Sequence, residues 1–267
     1  MTLKSFGYYG TVGDQVNETR GAVNRLWVCG FDGSISTRKA NILSASVPVT
    51  LDVSACLFPP SDKPYPERTR EYVLTLDDIV PDAEDRLLAM QRDLGEAWAY
   101  VDSIVLIDEP NLPAHAKSAK TLEQAATLVR GLWPGKKLAV IYYTGKPLVG
   151  LGLFDWAGFD RYKDGDRVLW DWWPKWLRWL RKWGWAKHLE RQLTDSQELI
   201  LVPGGGEVEF PVPDLRKWVK WANKRKRTIH MICFIWRAPA YEGKMSGIVN
   251  RPDIVEQYLE VGREVVG

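Results

Sequence analysis

The 267-residue sequence predicts an α/β protein folded as a single (β/α)8 (TIM) barrel, with residues 1–267 forming one domain. Eight short apolar runs, rich in β-branched residues, alternate with longer segments of helical periodicity, a pattern typical of parallel strands joined by helical crossovers. Eight such units in about 250 residues match the usual size of this barrel. A doubly wound open sheet is the alternative, but the first strand lacks the G-x-G-x-x-G phosphate loop that often follows it in such sheets.

Each predicted strand is a short apolar run, and each predicted helix has apolar positions at helical spacing. In chain order the strands are expected at residues 3–9, 25–31, 47–57, 103–107, 137–143, 156–159, 198–202 and 228–236. The helices are expected at residues 37–45, 83–100, 118–132, 174–191, 214–226 and 251–265. Pro134 and Gly135 stop the third helix, and Pro252 suits the start of the last one. The proline-rich segment 58–66 is too irregular for a simple connection, and we expect it to wall the cleft.

Composition and charge limit the class of protein. With 45% apolar and 12% aromatic residues, the chain can bury a large core and is not intrinsically disordered. The 36 basic and 34 acidic residues leave a net charge of +2, which disfavours a nucleic-acid partner. No run of about 20 apolar residues occurs, so no transmembrane segment is expected. The opening MTLKSFGYYG does not suit a signal peptide, which predicts cytoplasmic synthesis, with lysis or a virus particle as routes outside.

Cysteine and histidine usage argues against disulfides and metal sites. Cys29, Cys56 and Cys233 cannot form a closed disulfide set, and each lies in an apolar, strand-like run, so we expect buried free thiols. The three histidines include no H-x-H pair, and the cysteines no C-x-x-C pair, which disfavours a zinc site. The sequence implies no cofactor and no metal ion.

Carboxylates and aromatic residues collect at the C-terminal ends of the predicted strands, where such a barrel carries its chemistry. Aromatic faces can stack on the C–H faces of pyranose rings, and two carboxylates can run acid/base chemistry at a glycosidic bond. We therefore predict an oligosaccharide or polysaccharide substrate. The candidate substrate-binding residues are Tyr8, Asp32, Tyr142, Tyr162, Trp170, Trp172 and Trp236. The candidate catalytic residues are Asp108, Glu109, Asp160 and Glu207.

The sharpest feature is SIVLIDEPN, residues 103–111, in which an apolar strand delivers two adjacent acids and then a proline. Pro110 has no N–H and cannot continue a ladder, so it helps to end the strand there. Burial and like charge at a dry barrel mouth would raise the pKa of at least one of the two acids. A carboxyl group that stays protonated near neutral pH is what a general acid requires.

The chain resembles the barrel glycoside hydrolases of clan A, whose fourth strand ends in Asn-Glu-Pro with the Glu as acid/base. The resemblance rests on Asp108-Glu109-Pro110 and on Trp236, which matches the Trp that commonly floors the sugar site at the eighth strand. It implies that Glu109 is the general acid/base. Two departures are plain: Asp108 replaces the Asn, and the seventh strand, ELILVPGGGEVE, has no acid at its end, where clan A places its nucleophile.

Three candidates for the second catalytic group stay open. Glu207 follows three glycines, which could turn it back into the mouth or leave it at a loose tip. Asp160, at the end of the sixth strand, is the second candidate. In the third scheme the 2-acetamido group of the sugar attacks, as in barrel hexosaminidases with an Asp-Glu pair at the fourth strand, and Asp108 orients it. The carboxyl separation distinguishes a retaining pair, about 5–5.5 Å, from an inverting pair, ~6.5–9.5 Å.

Seven tryptophans lie between residues 170 and 185 in WDWWPKWLRWLRKWGW. At 100° per residue, most of those between Trp172 and Trp183 fall on one arc, and Lys and Arg fall on the other. This helix, 172–183, is expected to pack on the barrel strands. The alternatives are docking of a partner or second copy and attachment to a membrane surface or anionic cell-envelope polymer.

The sequence as a whole predicts a glycoside hydrolase that cleaves a polysaccharide. One setting that fits is a hydrolase delivered by a bacterial virus and aimed at a cell-surface glycan. A non-catalytic barrel that binds glycan or a protein through its tryptophans is the main alternative. A lyase or isomerase with a metal at Asp32, Asp52 and Glu109 is a third, which chelator sensitivity would reveal.

Overall fold

Eight parallel strands form a nearly closed barrel, which confirms the predicted fold class. The computed structural model describes residues 3–10, 14–29, 33–60, 73, 77–143, 146–161, 184–204, 214–234, 247–252 and 254–267. The strands are β1 (Leu3–Tyr8), β2 (Leu26–Val28), β3 (Val49–Asp52), β4 (Val101–Val105), β5 (Lys137–Tyr143), β6 (Trp156–Arg161), β7 (Glu198–Pro203) and β8 (Ile229–Cys233). Each strand from β2 to β8 pairs with its neighbour in sequence, and β8 pairs with β1.

The barrel closes between β1 and β2 through a single bridge rather than a full ladder. Tyr9 bridges to Trp27, and the Gly10 N–H donates to the Trp27 carbonyl at 3.0 Å. The two chains approach closely here, since a Cβ atom on Gly7 would lie 2.3 Å from the Arg25 carbonyl oxygen. A glycine is therefore required at position 7 for the closure.

Helices follow most of the strands. They are α1 (Gln15–Glu18), α2 (Ile35–Ala45), α3 (Ser54–Leu57), α4 (Ala83–Leu94), α5 (Ala119–Leu132), α6 (Gly184–Gln192), α7 (Leu215–Ala222) and α8 (Val255–Val266). Ser34 and Ser118 cap α2 and α5 by accepting hydrogen bonds from the first-turn backbone. The predicted strand 47–57 was too long, because Asp52 accepts a hydrogen bond from the Ser54 N–H at 2.7 Å and the chain turns into α3.

Alternation along the strands separates two apolar layers. In β5, Leu138, Val140 and Tyr142 pack outward against the helices, whereas Ala139 and Ile141 fill the barrel interior. Cys29 and Cys233 are buried, as expected, whereas Cys56 is half-buried on α3. In the part of the chain that is described, no helix is long and apolar enough to cross a membrane. The tryptophan-rich helix 172–183 lies outside the described residues, so its packing and its partners stay predictions.

A polar layer fills the N-terminal end of the barrel interior. Arg25 forms a bidentate pair with Asp102, at 2.6 and 2.7 Å, and its guanidinium lies 4.7 Å from the ring centroid of Trp156. Trp156 stacks in turn on His230, with ring centroids 4.0 Å apart. His230 contacts Ser5 Oγ through Nδ1 and Glu198 Oε2 through Nε2, both at 2.6 Å. This buried network joins strands from opposite sides of the barrel.

The His230–Glu198 pair makes stability depend on pH. Burial lowers the pKa of His230, and the hydrogen bond from His230 lowers the pKa of Glu198. As the pH falls, the unfolded chain therefore binds protons more readily than the folded chain, first at histidine below about pH 6.5 and then at glutamate below about pH 4.3. The folded state loses stability over both ranges. We expect the gap in unfolding free energy between wild type and His230→Gln to shrink as the pH falls from 7.5 to 5. Urea unfolding at the two pH values measures this, and an unchanged gap would contradict it.

Candidate active site

The C-terminal mouth of the barrel brings three of the predicted catalytic residues together. Asp108 and Glu109 follow β4, and Asp160 lies near the end of β6, paired in register with Tyr143 at the end of β5. Asp160 is 3% exposed, whereas Tyr143 is 38% exposed. The mouth thus presents carboxyl groups at its floor and an accessible aromatic ring at its rim.

The chain leaves β4 at Val105 and bends, so Asp108 and Glu109 stand on a turn that docks on β5. The Glu109 N–H donates to the Ile141 carbonyl at 2.9 Å, and the Glu109 carbonyl accepts from the Leu112 N–H at 2.9 Å. Glu109 has φ +49°, in the left-handed region that non-glycine residues seldom occupy. Such a conformation costs of the order of 1 kcal/mol and persists only where the surroundings enforce it.

Asn111 holds this turn against the end of β5. Its amide pairs with both backbone groups of Tyr143: the Tyr143 N–H donates to Asn111 Oδ1 at 2.8 Å, and Asn111 Nδ2 donates to the Tyr143 carbonyl at 2.9 Å. The side chain therefore extends the β4–β5 pairing beyond the strands and ties Glu109 to the rim ring. The predicted site did not include Asn111, although it directly follows the Asp-Glu-Pro tripeptide.

We expect Asn111→Asp to disturb the site more than the fold. The carboxylate can still accept from the Tyr143 N–H, but it loses the Nδ2 donor bonds to the carbonyls of Tyr143 and Lys146 and faces both with a negative charge. Turnover should fall about tenfold, as expected for a displaced catalytic group, with a stability loss near 1 kcal/mol. Steady-state kinetics beside thermal unfolding test this. Full activity with a large stability loss would contradict the positioning role.

Glu109 is held in its protonated form. Its side chain is 12% exposed, and its pKa is raised far above neutral, first by burial, then by hydrogen bonding to Asp160 and by the charges of Asp160 and Asp108. His115 lies close by, with Nδ1 3.9 Å from Glu109 Oε2. A buried carboxyl group in contact with another carboxyl group can keep its proton at neutral pH, because the two cannot both ionise freely. Glu109 can therefore donate a proton.

Asp108 is bound by a tyrosine from across the barrel. The Tyr9 hydroxyl donates to Asp108 Oδ2 at 2.6 Å, and the Tyr9 ring is enclosed by Trp27 and Phe234. Burial raises the pKa of Asp108 to about 7, the Asp160 and Asp52 charges add to the rise, and the Tyr9 hydrogen bond opposes it. Asp108 therefore titrates near neutral pH, while Glu109 beside it remains protonated.

Two predicted sugar platforms, Tyr8 and Tyr142, are not brought to the mouth. Both are buried in the layer between barrel and helices, where Tyr8 packs edge-on against Phe6 and the Tyr142 hydroxyl donates to the Val149 carbonyl at 2.8 Å. The physical reason is the two-residue alternation of a strand, which sends adjacent tyrosines to opposite faces. In each Tyr-Tyr pair the second residue, Tyr9 or Tyr143, turns to the site instead.

The remaining predicted site residues lie outside the part of the chain that the structure describes. These are Asp32, Tyr162, Trp170, Trp172, Glu207 and Trp236. Asp52 is half-buried at the end of β3 and accepts from the Ser54 N–H. Within the described residues, no group of three histidine, cysteine or acidic side chains is arranged to hold a metal ion.

The fold and the site together define a (β/α)8 barrel with a carboxyl-lined mouth, and solved structures share that fold. A β-galactosidase from the psychrophilic Marinomonas ef1 matches with a TM-score of 0.65 and 11% identity, over 97% of this chain and 59% of that one. A β-glucuronidase from Ruminococcus gnavus matches at 0.59 and 7%, over 97% and 50%. A GH2 β-galacturonidase from Eisenbergiella tayi matches at 0.58 and 10%, over 93% and 46%.

These likenesses establish the barrel fold. The chain spans about half the length of the solved proteins that it matches. No protein-family model matches the sequence. No curated protein sequence matches it either.

Proposed function

We propose that the protein is a glycoside hydrolase that cleaves glycosidic bonds in a polysaccharide, and that this substrate is a bacterial cell-surface glycan. One arrangement carries the proposal: Glu109 lies, largely buried, among the carboxyl groups of Asp108 and Asp160 at the C-terminal mouth of a (β/α)8 barrel, where burial and these neighbours raise its pKa. Barrels of the same fold occur in a β-galactosidase, a β-glucuronidase and a β-galacturonidase, which supports this class of enzyme.

In the proposed reaction, water is added across the bond between the sugar C1 and the leaving oxygen. Glu109 gives its proton to the leaving oxygen as the C1–O bond breaks. The oxygen of water bonds to C1, and a second carboxylate takes one proton from that water. After the reaction Glu109 has lost one proton and the second carboxylate has gained one. The proton returns to Glu109 before the next turnover.

Asp160 is best suited to keep Glu109 protonated. Its hydrogen bonding and its charge both raise the pKa of Glu109. Asp160 also stays a candidate for the second catalytic group. Glu207 stays a candidate for the opposite face, and so does the 2-acetamido group of a sugar that Asp108 would orient.

Aromatic side chains are proposed to hold the sugar. Tyr143 is the most accessible large apolar side chain among the described residues, and Glu109 and Asp160 act on its hydroxyl electrostatically. A ring at this position can stack on a pyranose whose glycosidic bond reaches Glu109. The candidates Asp32, Tyr162, Trp170, Trp172 and Trp236, predicted at neighbouring strand ends, would extend the site.

A panel of purified bacterial surface polysaccharides tests the proposal. Wild type is incubated with each, and products are detected at their reducing ends and by mass spectrometry. New oligosaccharide masses that differ by one repeat unit support hydrolysis and identify the repeat. Release of unsaturated sugars, lighter by one water, would instead indicate a lyase and contradict the proposal.

A non-catalytic glycan-binding barrel is the second candidate. It is favoured by β7, which runs from Glu198 to Pro203 and ends without an acid. Retained glycan binding without products from any polysaccharide would favour this function over hydrolysis.

A further inference from the structure

Tyr9 is a buried tyrosine whose hydroxyl is committed to the active-site mouth. It follows β1, is 5% exposed, and has its N–H fixed on the Cys233 carbonyl at 3.0 Å. Its ring is stacked on Trp27, with centroids 5.8 Å apart, and tilted against Phe234 at 5.3 Å. The phenol is therefore held rigidly, on the strand where the barrel closes, with its O–H aimed at Asp108 Oδ2, 2.6 Å away.

Asp108 faces acidic groups from several elements and receives this one strong donor. Asp52 at the end of β3, Asp160 on β6 and Glu109 on the same turn are its ionisable neighbours, and Cys29 after β2 lies near the phenol. Among the described residues, its second oxygen, Oδ1, is buried and has no hydrogen-bond partner. The Tyr9 hydrogen bond and the backbone at Glu109 both favour ionised Asp108.

We propose that Tyr9 is a positioning residue for the reaction: its hydroxyl holds Asp108 ionised beside neutral Glu109, so that one fixed negative charge faces the sugar as positive charge develops on it. This inference rests on the proposed function. A glycosidic bond breaks through an oxocarbenium-like transition state, and a preorganised anion beside it stabilises that charge. A phenol suits the task, because it is neutral, donates a short hydrogen bond and adds no competing positive charge.

The pH dependence of turnover distinguishes this role from simple packing. In wild type, activity should rise with pH as Asp108 ionises, giving an acid limb. In Tyr9→Phe the ionised form loses its donor, so the limb should move up by about one pH unit, with kcat near pH 6.5 about tenfold lower and recovering at higher pH. KM should change little. Tyr8→Phe is the matched control: it makes the same change one residue away, in the outer layer, and should leave the limb unmoved.

Asp108→Asn gives an independent test, since it keeps an acceptor for Tyr9 but cannot ionise. Its acid limb from Asp108 should be absent, and its kcat should be low at every pH. An active wild type whose acid limb stays in place in both Tyr9→Phe and Asp108→Asn would overturn the inference and leave the hydrolase standing. A Tyr9→Phe variant that loses activity equally at all pH values would show a packing role only. A wild type that hydrolyses no glycoside would overturn both proposals together.

Discussion

Glu109→Gln should lose about a thousandfold in kcat and, at the same time, make the protein more stable. The amide cannot donate an acidic proton to the leaving oxygen, and general acid catalysis typically contributes 10²–10⁴-fold. The substitution should leave glycan binding in place, because the Gln side chain has nearly the same shape as the Glu side chain. Kinetics and calorimetric binding on one polysaccharide measure the two effects separately.

The gain in stability follows from the raised pKa of Glu109. The folded chain keeps this proton above pH 4.5, whereas the unfolded chain releases it, so wild type loses stability as the pH rises from there. Glu109→Gln is free of that loss, and its advantage should grow from none near pH 4 to roughly 1–3 kcal/mol at pH 7. Glu123→Gln, an exposed carboxylate change on α5, is the control and should alter neither quantity. A destabilised Glu109→Gln would contradict the proposed protonation state.

Arg25→Met should cost roughly 2–4 kcal/mol of unfolding free energy, the largest stability effect that we expect. The Arg25 side chain is 5% exposed and donates to Asp102, Thr50 and Ser103 across the barrel floor. Its removal takes the guanidinium donor from the buried Thr50 and Ser103 hydroxyl groups, which keep the 2.8 Å hydrogen bond to each other, and takes the cation from the face of Trp156. Asp102 is 44% exposed, so its charge regains water and contributes less to the loss.

Arg216→Met provides the surface comparison for this prediction. Arg216 is 47% exposed and pairs with Glu260 and Glu264 at 3.1 and 3.0 Å on the outer helices. Exposed pairs of this kind contribute little to stability, because water and salt screen them. Urea unfolding of both variants should separate them clearly. Equal losses would mean that the buried network adds no more than a surface ion pair.

The fold could be predicted from the sequence because each strand carries its own local signal. The run KLAVIYY has the bounds of β5, since a Pro-Gly stop precedes it and the apolar run is continuous. The third strand was predicted too long, because hydrophobicity continues through Cys56 and Leu57 while the backbone has already turned at Asp52. Apolar runs report burial, and burial continues across a turn.

The site could be predicted only in part, for two reasons. Asp108 and Glu109 are adjacent in sequence after an apolar strand, so the chemistry of both was recognisable. Their partners come from positions 99 residues before Asp108 and 51 residues after Glu109, and only barrel closure brings Tyr9 and Asp160 beside them. Which of two neighbouring tyrosines reaches the site depends on which face of the strand points into the barrel. Because the two residues are identical, the Tyr-Tyr pair does not indicate that face.

The dependence of the Glu109→Gln defect on the leaving group tests directly whether Glu109 is the general acid. Matched aryl glycosides of the sugar identified from the panel are compared, one with a dinitrophenolate leaving group and one with a far more basic phenolate. A poor leaving group needs the proton, and a good one does not. Glu109→Gln should lose about a thousandfold in kcat/KM with the basic leaving group and less than about tenfold with dinitrophenolate. Equal losses for both would show that Glu109 is not the general acid.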